Sequence, residues 1–342
     1  MTHLTYLEAA VVGLVQGVSE MFPVSSLGHN VLIPAIIGGS WARDLNVATP
    51  ESPYLAFIVG LHVATAIALI IYFWRDWVRI VGGFFTSIRD RGVRTENQKL
   101  AWMIILATIP VGIVGLLFEH TFRVIFGKPI LAGIFLTVNG LILIAGERYR
   151  SRASRDADAT IAAEREWQRE PGIVPAPEPE LVGAGRAPAG EGARAGQRAV
   201  REQEQADAIQ ADRRLARMTY PQTILIGSAQ ILALLAGISR DGVTMVAGMA
   251  RGLSREDAAR FAFLLATPVI LAAGALKIPD LLGPLGNGIR GQILLGSVLS
   301  GVGAYLSVRF LLRYLRTRTL TPFGVYCLIA GVASVIYLGL VK

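Results

Sequence analysis

Six stretches of the chain are almost free of charge: Tyr54–Trp74, Leu100–Phe118, Pro129–Gly146, Ala258–Leu276, Gly291–Leu312 and Pro322–Val341. Each approaches the ~20 apolar residues that a membrane-crossing helix requires, so the pattern predicts six full spans. Two further apolar stretches are broken. Leu4–Gly39 is interrupted by Pro23 and the run SSLGH (from Ser25), and Tyr220–Ala250 by GISRDG (from Gly237). Neither half of either stretch is long enough to cross alone. Each is expected to form a re-entrant helical hairpin.

Arginine sets the expected orientation. Arg75, Arg79, Arg89, Arg91, Arg94 and Lys99 separate the first two spans. Arg148, Arg150, Arg152 and Arg155 follow the third, and Arg313, Arg316 and Arg318 separate the last two. If each span crosses once, all three clusters fall on one side, the cytoplasm. Arg217 precedes the second broken stretch and Arg251, Arg255 and Arg260 follow it. That hairpin is therefore expected to enter from the cytoplasm, and the first (residues 4–39) from outside. The fold class predicted is an all-α polytopic membrane protein of two inverted repeats, residues 1–146 and 218–342, each with one hairpin and three spanning helices. A faint self-match supports the repeat: GLVQGVSEMFPVSS (from Gly13) and GSAQILALLAGISR (from Gly227) align without gaps, pairing Gln16 with Gln230 and Ser25 with Ser239.

Between the halves the composition changes. Residues 147–217 are Ala, Arg, Glu, Gly and Pro with almost no large apolar side chains, too few to offset the entropy of ordering the chain. This stretch is expected to be a cytoplasmic, largely disordered charged insertion, with charged helices at Ala157–Arg169 and Val200–Arg217.

Composition adds that the chain is 53% hydrophobic, with a net charge of +8. The basic residues flank apolar spans, so the charge points to anionic lipid and membrane topology, and nucleic acid is not an expected partner. Cys327 is the only cysteine and lies in an apolar span, which excludes a disulfide framework. The N-terminal run shows neither a basic n-region nor a small-residue cleavage site, so no signal peptide is expected.

Two charges stand out against this background. Glu20 sits in an apolar run and Arg240 in a short polar break between two. A charge at mid-bilayer costs about 2.5–3.5 kcal/mol on insertion scales and usually marks function; the bland reading is a buried ion pair between the halves. Gln16 lies one helical turn before Glu20 on the same face. Pro23 ends that helix, and Ser25, Ser26, Gly28 and His29 follow. A broken helix with free N–H groups, hydroxyls and an imidazole suits an anionic group, although serines there also serve as ordinary helix caps. Around Arg240, Gly237, Ser239, Asp241, Gly242 and Thr244 surround a guanidinium whose planar fork matches phosphate oxygens. His62, within a span, is a weaker site candidate. Gly296, Ser300 and Ala304 form a small-residue stripe that suits packing within the chain better than a dimer seam.

QGVSEMFPVSSLGH (from Gln16) and GISRDGVT (from Gly237) resemble the two signature motifs of the undecaprenyl-diphosphate phosphatase family, also called the bacitracin-resistance proteins. The likeness covers both membrane halves, including FWRD at Phe73–Asp76. It implies hydrolysis of undecaprenyl diphosphate to the monophosphate, recycling the lipid carrier of cell-wall synthesis in a bacterial cell membrane. By resemblance Glu20, Ser26, His29 and Arg240 are the catalytic set. Gln16 and Thr244 match further motif positions. With Ser25, Ser239 and Asp241 they are expected to contact substrate, and Glu20 with Gln16 is expected to hold a divalent cation, Mg2+ or Ca2+. Ser26 is either a nucleophile or an orienting group for water, and His29 a general acid or base. The active site is expected to face outside. Expected partners are the polyprenyl diphosphate, bilayer lipids and a second copy of the chain as a homodimer. Two positions depart from the motifs: Ala236 stands where the family has Pro, and Asp241 where it has Ser. The rival reading is a secondary transporter or lipid flippase, for which inverted repeats with broken helices are equally suited.

Overall fold

The computed structural model describes residues 4–45, 53–126, 128–167, 206, 209–283 and 288–341, and the regular structure among them is entirely helical. The helices are α1 (Tyr6–Met21), α2 (Ser26–Ile37), the short α3 (Gly39–Asp44), α4 (Pro53–Tyr72), α5 (Trp74–Arg89), α6 (Glu96–Phe126) and α7 (Pro129–Trp167). They continue with α8 (Tyr220–Ser228), a 3-10 segment Ala229–Leu234, α9 (Arg240–Ala250), α10 (Arg255–Leu282), α11 (Arg290–Thr317) and α12 (Thr321–Val341). Five helices are long and apolar enough to cross a bilayer: α6, α7, α10, α11 and α12. Counting α4 with α5, which bends from it by 87°, gives six. Large apolar side chains on these helices stay exposed, among them Leu117, Leu294, Leu306 and Ile329, as a lipid-facing perimeter requires.

Both broken stretches are helices interrupted at the polar runs, α1–α2 and α8–α9, and the local chemistry explains the breaks. α1 begins with a capping box: the Thr5 hydroxyl accepts from Glu8 N at 3.2 Å, and Glu8 Oε2 accepts from Thr5 N at 2.8 Å. It stops at Phe22, which is extended because Pro23 follows. Ser25 then adopts φ +67° and caps α2, its hydroxyl accepting from Gly28 N at 3.2 Å. The second hairpin repeats this in the register of the self-match. Thr219 and Gln222 form the capping box of α8, and the Ser239 hydroxyl accepts from Gly242 N at 3.1 Å at the start of α9.

The hairpins are held by the opposite half. Gly13 and Gly17 of α1 lie directly against the backbone of Gly296 and Ser300 in α11, where a Cβ on either would overlap a carbonyl oxygen. Gly227, the self-match partner of Gly13, lies in the same way against Ala107 of α6. The small-residue stripe of α11 is thus a packing seam inside the chain, with Ser300 and Ala304 fully buried.

The predicted insertion is in part structured. α7 continues without a break through residue 167, and residues 209–216 are helical. Leu215 is fully buried, and Asp212 joins Arg79 of α5 at 2.6 Å to Arg260 of α10 at 2.9 Å. The polar composition of 200–217 suggested a solvated charged helix. It packs because its acidic residue meets two arginines of the membrane halves. Residues 168–205, including the stretch expected to be disordered, lie outside the described residues.

Candidate active site

The tips of the two hairpins meet. Asn139 of α7 fastens them together: its Nδ2 donates to Pro23 O at 2.9 Å, and its Oδ1 accepts from Ser239 N at 3.0 Å. α2 and α9 therefore start side by side, each with a serine at its N-cap, and present first-turn N–H groups and positive dipole ends in one region.

Glu20, in the last turn of α1, is the hub. One carboxylate oxygen, Oε2, accepts from Gln16 Nε2 at 2.7 Å and from the Ser26 hydroxyl, and lies 3.3 Å from His62 Nε2. The other, Oε1, accepts from Arg240 Nη2. Gln16 is itself fixed, its Oε1 accepting from Asn30 Nδ2 at 2.6 Å. His62 is oriented by its Nδ1, 2.9 Å from Ile58 O. Glu20 is buried and has four polar partners, as a carboxylate away from water requires.

A cavity of about 150 Å3 opens beside this cluster, lined by Glu20, Ser25, Ser26, His62, Gln230, Ser239 and Arg240 among apolar neighbours such as Val111 and Leu234. Two polar atoms of its lining residues are buried without a hydrogen-bond partner: Arg240 Nε, a donor, and Gln230 Oε1, an acceptor. Buried orphans of this kind are rare in native proteins and point to a ligand. Asp241 is 1% exposed, and neither of its oxygens is hydrogen-bonded; Oδ1 lies 3.8 Å from Arg240 Nε.

The sequence-predicted residues divide into those on the cavity and those behind it. Glu20, Ser25, Ser26, Ser239 and Arg240 line it. Gln16 stands behind Glu20 as a positioning group. Thr244 donates to Arg240 O at 2.7 Å, one turn back in its own helix. His29 points its ring to α12, with Nδ1 2.7 Å from Ser25 O and Nε2 2.7 Å from the Tyr326 hydroxyl. Sequence reasoning ranked His62 below His29, yet His62 touches Glu20. It did not single out Asn139 as a site residue, and met Gln230 only as the self-match partner of Gln16. A polar side chain in mid-span is the one signal that could have found all three.

Among the described residues no three of His, Cys, Asp and Glu gather into a metal site. The cavity nonetheless offers oxygen donors suited to a hard cation: the Glu20 carboxylate, the Ser26 hydroxyl and the unpartnered Gln230 Oε1. Such a sparse set fits a cation that takes its remaining ligands from substrate phosphates and water.

Comparison with known proteins agrees with this geometry. The family described as bacitracin resistance protein BacA matches residues 9–167 and 196–333. The chain is 54% identical over 338 residues to an undecaprenyl-diphosphatase of Mycolicibacterium paratuberculosis, covering 99% of each chain. It is 54% identical over 336 residues to undecaprenyl-diphosphatase 2 of Frankia alni, covering 97% of each. Against undecaprenyl-diphosphatase 2 of Burkholderia lata the identity is 39% over 324 residues, covering 93% of this chain and 92% of the relative. With Glu20, Ser26 and Arg240 converging at one cavity and the match running through both membrane halves, the chain belongs to the bacitracin resistance protein family.

Proposed function

We propose that this chain is an integral membrane phosphatase that hydrolyses undecaprenyl diphosphate to undecaprenyl phosphate and inorganic phosphate, recycling a lipid carrier of cell-wall synthesis. The observation that carries the reading is the sharing of one carboxylate. Ser26 Oγ donates to Oε2 of Glu20 and Arg240 Nη2 to Oε1, while Arg240 Nε has no hydrogen-bond partner and lies 3.8 Å from Asp241 Oδ1. A nucleophile, its base and a phosphate-binding fork thus lie within one contact of each other.

In this mechanism Arg240 Nε and the N-termini of α2 and α9 receive the diphosphate oxygens. Glu20 takes the proton of Ser26 as Oγ attacks the terminal phosphorus. The bond from that phosphorus to the bridging oxygen breaks, and its electron pair leaves on the lipid monophosphate. Water then attacks the phosphoserine phosphorus, the bond from phosphorus to Oγ breaks, Glu20 returns to Ser26 Oγ the proton it took, and the water's oxygen and protons leave with inorganic phosphate. Such chemistry is largely positioning and charge stabilisation, and the hydrogen bonds that Gln16 and His62 make to Glu20 supply the positioning. A divalent cation, Mg2+ or Ca2+, held by Glu20, Ser26 and Gln230 would supply neutralisation of the developing phosphate charge.

The isoprenoid tail lies between helices in lipid. The arginine clusters at residues 148–155 and 313–318 support a cytoplasmic side for those parts of the chain; on this reading the first hairpin enters from outside and the active site faces outward. The reciprocal glycine packing and the matched capping boxes of the two hairpins support an inverted repeat. A transporter would use the same repeat without needing the Ser26–Glu20 pair. Phosphate release from purified, detergent-solubilised protein given undecaprenyl diphosphate tests the proposal. Steady turnover by wild type, lost in Ser26→Ala, is expected; no release by wild type overturns the phosphatase reading.

A further inference from the structure

A second, larger cavity of about 1060 Å3 lies away from the reaction site, at the bend where α4 turns into α5. Tyr72 at its wall is ten residues along α4 from His62, about 15 Å at the rise of an α-helix. Among the described residues its walls carry seven arginines against two carboxylates, Asp76 and Glu256. Four of the arginines are neutralised. Arg79 and Arg260 share Asp76 and Asp212, Arg214 meets Asp257 at 2.7 Å, and Arg316 meets Glu256 at 2.9 Å.

Arg75, Arg309 and Arg313 have no acidic partner among the described residues; Arg75 lies over the Trp74 ring, 5.3 Å from its centroid. Arg309 and Arg313 stand one turn apart on α11, on the stripe that begins at Tyr305. All three are exposed and border the same cavity. Three like charges around one concavity repel each other, and an anion between them removes that cost.

The surroundings say which anion. Tyr72, Phe73 and Tyr305 form an aromatic floor, with Tyr72 and Tyr305 edge to face at 5.7 Å between centroids. α5 leaves the bend carrying Trp74, Val78, Val81, Phe85 and Ile88 exposed on one stripe. An amphipathic helix nearly perpendicular to a spanning helix lies in the membrane interface with that stripe in lipid, which puts the cavity at headgroup depth. Arginine forks match phosphate oxygens, and the volume accommodates a headgroup with the first atoms of its chains. We propose that this arginine-lined cavity binds a phosphate-bearing anion at the membrane surface, the headgroup of an anionic phospholipid, at a site separate from the diphosphate site.

The test is native mass spectrometry of the full-length protein titrated with phosphatidylglycerol, with phosphatidylcholine as the uncharged control. Wild type is expected to retain phosphatidylglycerol in preference to phosphatidylcholine. Each arginine near an anionic surface contributes about fivefold, so Arg75→Gln, Arg309→Gln and Arg313→Gln together should weaken phosphatidylglycerol binding about a hundredfold. These residues are outside the catalytic set, so phosphate release by the triple variant shows that it is folded. If the triple variant does not fold, Arg309→Gln and Arg313→Gln singly, each at an exposed position, carry the same comparison. Inorganic phosphate at millimolar concentration separates the sources. Binding it fails to displace belongs to a lipid headgroup, and displacement marks a site that also takes the free ion; both support a phosphate site. Phosphatidylglycerol and phosphate binding equal in wild type and variants overturns it.

Discussion

Arg240 and Glu20 come from different hairpins in opposite halves of the chain, and they meet at the tips of those hairpins with Arg240 Nη2 on Glu20 Oε1. The contact is at once the ion pair that balances two buried charges and the assembly of the reaction site. Glu20→Gln removes the base, and Arg240→Ala removes the phosphate fork. Each is expected to lower kcat/KM by about 10^2–10^3-fold, the range for loss of one preorganised electrostatic group. Arg240→Lys should restore charge but little activity, because a point charge cannot replace the fork. Phosphate-release kinetics on the purified variants measure this, with circular dichroism as the check on folding. Activity of Glu20→Gln within threefold of wild type would refute the assignment.

His62 and His29 separate by their partners. His62 sits on the Glu20 carboxylate, whereas His29 sits on Ser25 O and the Tyr326 hydroxyl. A hydrogen bond to a charged group contributes about 1.5–3 kcal/mol, so His62→Phe should cost about 10- to 100-fold in kcat/KM. Tyr326→Phe removes only the contact that turns His29 toward α12. If His29 acts at the cavity, Tyr326→Phe should leave it active, and His29→Asn should abolish turnover. Equal kinetics for His29→Asn and wild type would remove His29 from the catalytic set.

Asn139 is expected to be a positioning residue. Asn139→Leu leaves Ser239 N buried without its partner, at a cost of about 1–3 kcal/mol, and leaves Pro23 O only the weak bond from Cys327 Sγ at 3.8 Å. Both the melting temperature and kcat should fall. KM should change less, because the groups that bind the diphosphate remain. A variant with wild-type kcat would show that the hairpins hold their register without this bridge.

Asp241 stands where the family motif has serine, and its two oxygens are buried without hydrogen-bond partners. A carboxylate in that setting is costly unless cations balance it, and the Arg240 guanidinium, 3.8 Å from Oδ1 and shared with Glu20, does so only in part. Asp241→Ser is therefore expected to raise the Mg2+ or Ca2+ concentration needed for half-maximal activity. Identical metal titrations for wild type and variant would sink the idea that Asp241 contributes to cation binding.

The segment 147–217 should not be replaceable as a whole. Asp212 lies between Arg79 and Arg260, and Arg214 pairs with Asp257. Removing one partner from a buried ion pair costs about 3–5 kcal/mol, so Asp212→Ala, or a Gly/Ser linker in place of 150–215, should lower the melting temperature and the yield of inserted protein. A linker replacing only residues 168–205 should keep both close to wild type. Equal melting temperatures for the two linker variants would contradict the docking of 209–216.

By itself the sequence determined which segments are apolar helices and where they break, because hydropathy and the turn chemistry of Pro23, Gly237 and the serine caps are local. It also marked Glu20, Ser26 and Arg240, since a charge inside an apolar run has few bland explanations. Only the tertiary structure decided which polar groups meet. His62 and Asn139 are isolated polar residues in long apolar helices and Gln230 lies in a short 3-10 segment, and nothing in their neighbours along the chain says what they face. Their positions follow from how α4, α7 and the 3-10 segment after α8 pack around the hairpin tips. The packing of 209–216 was hidden for the same reason. Its sequence is that of a charged helix, and one face of it is buried because Arg79 and Arg260, distant in the chain, hold Asp212 between them. Local propensity is written in the order of residues, whereas the pairing of buried charges is settled by the helices that enclose them.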